Sequence, residues 1–407
     1  MFDQDIEALS LANDKPDERR ARSTPEGGAK VDGAFELISI DAAPMRAAAK
    51  SIFTVDVERY ATYNSPELAP LRRRYRRAVG RFADQLIRRY QPVAVAAPSD
   101  NFFWVRELIP ALRERGVPYL VLDKEGTICP AYFQHFARYI KDECPFISEH
   151  ILVWTERQRD FWQRTGVPPE KITVTGQPRS DFWRQPARWI DKRELGIGPV
   201  REHAKLLLFF SYDPWAYTPD YMIEKGEMHW EVLRGETHAE IYAFAQRHPE
   251  VDVVIKAHPQ QPDVPTLRAE AASRGLTNVH IATGPKISNH LIACADVVVG
   301  FQTTALIESM VTDKPIIYTF WGEARDRWAS DLIPFHETTG VDVAGSPAEL
   351  ATMLDAAIAK PALSDARKAA RKAFVEEYLG NVDGGSSRRT LDRVRELTLD
   401  RVRELTR

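Results

Sequence analysis

The sequence predicts an α/β protein of two doubly wound parallel-sheet domains facing a cleft. Three observations carry this. Short apolar runs alternate with helical stretches of about ten residues, first before residue 183 and again after residue 205, the pattern of crossover units feeding parallel sheets. A charged stretch, 184–204, with Gly196, Gly198 and Pro199, separates the two series. The chain's 407 residues, 44% of them hydrophobic, suffice for two ordinary cores.

Residues 1–32 are rich in Asp, Glu, Arg, Pro and Gly and predict a disordered lead. Asp3-Gln4-Asp5 has the form of an Asp-x-Asp metal pair, but no buried strand precedes it to place the carboxylates. In the first domain, 33–183, Ala34 to Ile40 reads as a strand. From Leu71 to Tyr90 the residues Leu71, Tyr75, Val79, Phe82, Leu86 and Tyr90 recur at helical spacing. The other face carries Arg72, Arg73, Arg74, Arg76, Arg77, Arg81, Arg88 and Arg89. We read it as a solvated helix face, with peripheral contact to anionic lipid or a lipid-linked acceptor as the alternative. Strands then follow at Val93 to Ala97, Val117 to Leu122, Ile151 to Trp154 and Ile172 to Thr175. Helices between them are expected at Trp104 to Arg115, Ala131 to Ile140 and Glu156 to Thr165. The half is Rossmann-like without a Gly-x-Gly-x-x-Gly turn, so a dinucleotide is not expected.

The second Rossmann-like domain, 205–380, predicts strands at Leu206 to Phe210, Val251 to Lys256, Val279 to Ala282, Val297 to Gly300 and Pro315 to Tyr318. Helices fall at Thr237 to Arg247, Val264 to Ser273, Ser288 to Ala293, Thr304 to Val311, Pro347 to Ala359 and Asp365 to Tyr378. The tail, 381–407, repeats LDRVRELT at 391–398 and 399–406. Eight residues turn a helix roughly 80° past two full turns, so the copies present offset apolar stripes on a broad, Arg-rich helix.

A net charge of −3 argues against general nucleic-acid binding. No apolar run approaches a membrane span and the first 30 residues do not read as a signal peptide, so a cytoplasmic protein is expected. Cys129, Cys144 and Cys294 match no metal-ligand spacing and read as reduced.

The organising stretch is VDVVIKAHP, Val251 to Pro259. Positions i and i+2 of a strand share a face, so Lys256 and His258 point together off the strand's C-terminal end, where doubly wound sheets bind ligands. Two nitrogen donors there suit a phosphate. His248-Pro249 is the control: it has no strand before it. The second constellation is ADVVVGFQTTALIES, Ala295 to Ser309. Gln302, Thr303 and Thr304 open a helix whose unpaired N–H groups attract anions. Glu308, one turn on, suits a ribose diol, whereas the plain alternative is a capping Thr303 and a solvated Glu308. The third is DKEGTICP, Asp123 to Pro130, where Glu125 or Asp123 facing a cleft can act as a base. On composition alone it is a polar loop turned by Gly126. Ser99, Asp100, Asn101 and Ser211 are expected on the cleft rim, and His135 reads as a packed helix residue.

Together, the acid-Gly-x-x-x-Pro turn, the strand-terminal His-Pro and the Thr-rich helix start with its Glu resemble the GT-B glycosyltransferases of bacterial surface polysaccharide synthesis. The capsule polysaccharide group, with its β-Kdo transferases, is the nearest in motif, and polysialyltransferases share related ones. VTGQPRSDF, Val174 to Phe182, is similar to that group's Gly-x-Pro-Arg segment, and DGGSSRR, Asp383 to Arg389, resembles its Asp-Gly-x-x-Ser-x-Arg end. The resemblance implies a nucleotide sugar as substrate, no cofactor, no metal, and a glycan or lipid-linked glycan as acceptor at the inner face of the membrane. It implies Glu125 or Asp123 as base, His258 on the donor phosphate beside Gln302, Thr303 and Thr304, and Glu308 on the nucleotide sugar. Lys124-Glu125-Gly126 departs from the two adjacent acids of polysialyltransferases, which leaves the base open between Glu125 and Asp123.

A non-hydrolysing sugar-nucleotide 2-epimerase shares this fold, but residues 1–60 lack its Gly-Thr-Arg-Pro-Glu opening. A teichoic-acid glycerophosphotransferase shares Lys-x-His-Pro yet carries Asp-Tyr-Ser-Ser where this chain has Gly300-Phe301-Gln302-Thr303. A catalytically silent nucleotide-sugar-binding assembly protein is the alternative of another class. Hydrolase motifs, Gly-x-Ser-x-Gly and His-Glu-x-x-His, are absent from the sequence.

Overall fold

The computed structural model describes residues 29–31, 35–55, 57, 60–124, 126–198, 200–217, 228–258, 261–284, 288–359 and 362–405. Most of the lead expected to be disordered lies outside them. Strands β1 (Ala29–Val31) and β2 (Phe35–Leu37) pair antiparallel as a small sheet of their own. The strand expected at 34–40 is therefore one arm of a hairpin. Its far end never joins a core, since Ile38 and Ile40 stay 42% and 44% exposed.

The first parallel sheet runs β3 (Val95–Ala97), β4 (Tyr119–Leu122), β5 (His150–Val153) and β6 (Ile172–Val174) in chain order. The second comprises β7 (Leu206–Phe210), β8 (Asp252–Lys256), β9 (Val279–Ala282), β10 (Val297–Gly300), β11 (Ile316–Thr319) and β12 (Asp342–Ala344). Its spatial order is β12-β11-β10-β7-β8-β9, all parallel. Every residue of β7, β8, β10 and β11 is buried, as helices on both faces require. The two parallel-sheet α/β domains are thus as the sequence predicts, though only the second sheet reverses its strand order and is doubly wound, the described strands of the first lying in chain order.

Some elements differ. The helix expected at 104–115 comes as Phe103–Arg106 and Leu108–Arg113, because Pro110 has no N–H for the Arg106 carbonyl and its ring crowds that carbonyl. Helices Ala43–Ile52 and Tyr60–Asn64 and strand β12 go unpredicted. Helix Ala69–Tyr90 buries Tyr75, Val79, Ala83 and Leu86, packing on Ala43–Ile52 and Leu108–Arg113.

The last helix, Ser386–Leu405, returns to the first domain. Leu391 packs with Leu122 of β4 and Leu152 of β5, and Arg389 Nε donates to Thr175 O at 2.8 Å. Asp181 accepts from the main-chain N–H groups of Ser386 (3.0 Å) and Ser387 (2.7 Å), satisfying donors that a helix start leaves open. Gly-x-Pro-Arg-Ser-Asp and Asp-Gly-x-x-Ser-x-Arg, two hundred residues apart, therefore fasten one joint. Among the described residues no helix is long and apolar enough to cross a membrane.

Candidate active site

The strand order reverses at β7, which has β8 on one side and β10 on the other. A crevice opens at such a switch point beyond the strands' C-terminal ends. With strands about 4.8 Å apart, the ends of β8 and β10 are separated by about 10 Å. Lys256 and His258 stand at one, Gln302 to Thr304 at the other.

Lys256 is 3% exposed. Its Nζ donates to Ala257 O at 2.7 Å, and among the described residues no carboxylate pairs with it. Burial strips water from the ammonium and pulls it down to about 8. The half-buried His258 sits in a turn clamped by Gln261, which accepts its N–H at 3.1 Å and donates a main-chain N–H to its carbonyl at 3.0 Å. Gln261 Nε2 in turn donates to Ser211 Oγ at 3.1 Å, and that hydroxyl lies 2.9 Å from His238 Nε2. Burial, aided by the Arg234 cation, holds His238 down to about 3, so the ring is neutral. Ser211, expected on the rim, is buried instead and braces the β8 turn. Sequence reasoning missed Gln261 and His238. The signal for His238 was its place between Thr237 and Ile241 on the helix's buried face.

After β10, Gln302 takes the left-handed conformation, φ 41°, uncommon for a residue with a Cβ. Its side chain explains how it is held: Nε2 donates to Tyr318 Oη (2.8 Å) and Ile333 O (2.9 Å), and Oε1 accepts Ile333 N at 2.9 Å. The amide expected to bind donor is thus bonded within the protein. Thr303 caps the short helix Thr304–Ser309 by accepting Ala305 N at 3.3 Å, and Thr304 stays half-buried beside it. Glu308, expected on a ribose, is buried and accepts from Arg179 Nε at 2.8 Å. The Arg179 guanidinium lies over the Trp154 ring, 4.8 Å from its centroid. This pair joins the halves.

In the first half, Asp123 follows β4 and is 9% exposed. Its Oδ2 accepts from Trp162 Nε1 at 3.0 Å and Gln158 Nε2 at 3.4 Å. A small cavity beside it is roofed by Thr390 of the last helix. Its carboxylate therefore faces inward. Glu125 lies outside the described residues. A Cβ on Gly126 would meet the Gln158 amide and, at 2.5 Å, the Trp154 ring, so only glycine fits. Asp100 is also buried rather than on a rim; it accepts Ile147 N at 2.8 Å and both N and Oγ of Ser148 at 3.1 Å. Burial pushes its carboxyl up from the usual range despite those bonds. Ser99 Oγ accepts Asn101 N at 2.9 Å, both residues half-buried. His135 is exposed. The loop after Gly126 reaches the second half, where Cys129 Sγ lies 3.9 Å from Ser330 O. Ile333, which holds Gln302, is three residues further on, so one segment links the two constellations. Among the described residues, His, Cys, Asp and Glu form no group of three or more able to hold a metal.

Solved structures share this architecture. UDP-GlcNAc 2-epimerase from Neisseria meningitidis, bound to UDP-GlcNAc, aligns with a TM-score of 0.50 at 14% identity, over 96% of this chain and 97% of that one. HepE from Anabaena in complex with UDP-glucose gives 0.42 at 16% identity, over 81% and 84%. The wall teichoic acid polymerase TagF gives 0.47 at 12%, over 72% and 70%. At such identities the likeness is one of fold, and the fold is GT-B. No protein-family model matches the chain, and no curated protein matches it significantly.

Proposed function

We propose that the chain moves a sugar from a nucleotide-activated donor to a surface or capsular polysaccharide or its lipid-linked precursor. The observation that carries this reading is Lys256: a buried ammonium, with a carbonyl for its acceptor, at the end of a strand beside the switch point. Such a cation favours an anion near it. His258, two residues on, supplies a second donor for the developing charge of a leaving nucleotide phosphate. UDP-GlcNAc in the Neisseria epimerase supports a nucleotide sugar as the ligand class. Asp123 is bonded by Trp162 and Gln158, so the base falls to Glu125.

The test is a thermal-shift panel of CMP, CDP, UDP and GDP. One nucleotide should raise the Tm of the wild type by mass action and do so less in His258→Ala. Silence across the panel in both proteins overturns the reading. Glu125→Gln should keep the nucleotide shift and lose turnover; full activity removes the proposed base. Isomerisation of the sugar nucleotide without any acceptor would instead assign the chain an epimerase reaction.

A further inference from the structure

The helix Ala69–Tyr90 has no part in the proposed transfer, yet its 22 residues hold eight arginines and one acid, Asp84, in a chain of net charge −3. At 100° per residue, Arg73, Arg74, Arg77, Arg81 and Arg88 fall within an arc of about 100°, centred opposite the buried stripe of Tyr75, Val79, Ala83 and Leu86. All five are exposed, and among the described residues none forms a salt bridge with a carboxylate, although the Asp84 charge, one turn before Arg88, also feels that cation. The remaining three have partners: Arg72 donates to the Tyr63 and Ser65 carbonyls, Arg76 meets Glu114 at 2.6 Å, and Arg89 lies over the Tyr90 ring. Asp84 shares the arc but is held by Arg115 at 2.7 Å. The strip from Arg73 to Arg88 is about 22 Å long.

We propose that this strip docks the protein on a bilayer containing anionic phospholipid. A straight row of guanidinium groups meets a plane of phosphates along its whole length, and each group can bind two phosphate oxygens. Outside this helix the chain is net acidic. A long polyanion wrapping the molecule meets that acidic remainder, whereas a plane touches the basic face alone. Each arginine near an anionic surface strengthens binding about fivefold, and salt weakens the attraction. The inference stands whether or not the proposed transfer is correct.

The test is co-sedimentation with vesicles of phosphatidylcholine, with and without phosphatidylglycerol, at low and high salt. The wild type should bind the phosphatidylglycerol vesicles alone, and lose them at high salt. R73Q/R77Q/R81Q/R88Q should bind them several-hundredfold more weakly, roughly fivefold per arginine, with unchanged circular dichroism and Tm because all four side chains are exposed. Failure of the wild type to bind, equal binding to neutral vesicles, or undiminished binding by the variant overturns the proposal. So does tighter binding to duplex DNA than to the phosphatidylglycerol vesicles.

Discussion

Removing the Glu308 carboxylate asks what its buried pair with Arg179 contributes. The two side chains are 5% and 1% exposed and 2.8 Å apart. In Glu308→Ala the Arg179 charge stays in the interior while Nε loses its carboxylate, a loss of about 3–5 kcal/mol when one partner of a buried pair is deleted. With the 407 residues melting together, at about 2.1 cal/mol/K each, the Tm falls by roughly 4–6 °C. Differential scanning calorimetry reads this directly. The double variant R179M/E308M should recover most of the fall, since an apolar pair of similar volume leaves no buried charge. A Glu308→Ala protein that melts like wild type but no longer responds to nucleotide would mean that the carboxylate serves the ligand and the joint between halves does not depend on it.

Three further outcomes are expected. Lys256 titrates near 8 when folded, against an ordinary 10.5; the cost of its buried charge is full below pH 8 and fades as pH rises toward 10.5, so Lys256→Met should stabilise most below pH 8. Nucleotide affinity of the wild type should fall as pH rises through 8 and stay flat in that variant, and parallel profiles would contradict the role given to the ammonium. Gly126→Ala forces a methyl against the Trp154 ring at 2.5 Å, and should cost about 1–3 kcal/mol with a change in tryptophan fluorescence; an unshifted Tm counts against the packing described. Asp181→Ala removes the acceptor for Ser386 and Ser387 N–H, at about 1–2 kcal/mol, and limited proteolysis should open the last helix sooner than in the wild type.

Legibility in the sequence followed burial. Strands β7 and β10 stand where their unbroken apolar runs put them, because a parallel strand covered on both faces leaves no other pattern. Strand β12, three residues with two half-buried, carries too little pattern to be read. The end of β8 was legible because Lys and His follow an apolar run. What holds that end was not: Gln261, Ser211 and His238 come from two loops and a helix far apart in the chain. Glu308 shows the same limit. Its spacing from Thr304 suggested a ligand, while its partner Arg179 is 129 positions away and only the fold brings it near. The closing motifs were legible as spelling, their work as a clasp was not.

The clasp has a consequence for synthesis. Leu122 and Leu152 belong to strands made early, as does Leu37 packed beside them, but Leu391, the third buried member of their cluster, comes from the last helix. On the ribosome, where domains tend to fold as they emerge, the first half must wait for nearly the whole second half before its sheet is sealed. A nascent chain stalled anywhere in that interval shows bare leucine to the cell, and is a natural client for chaperones.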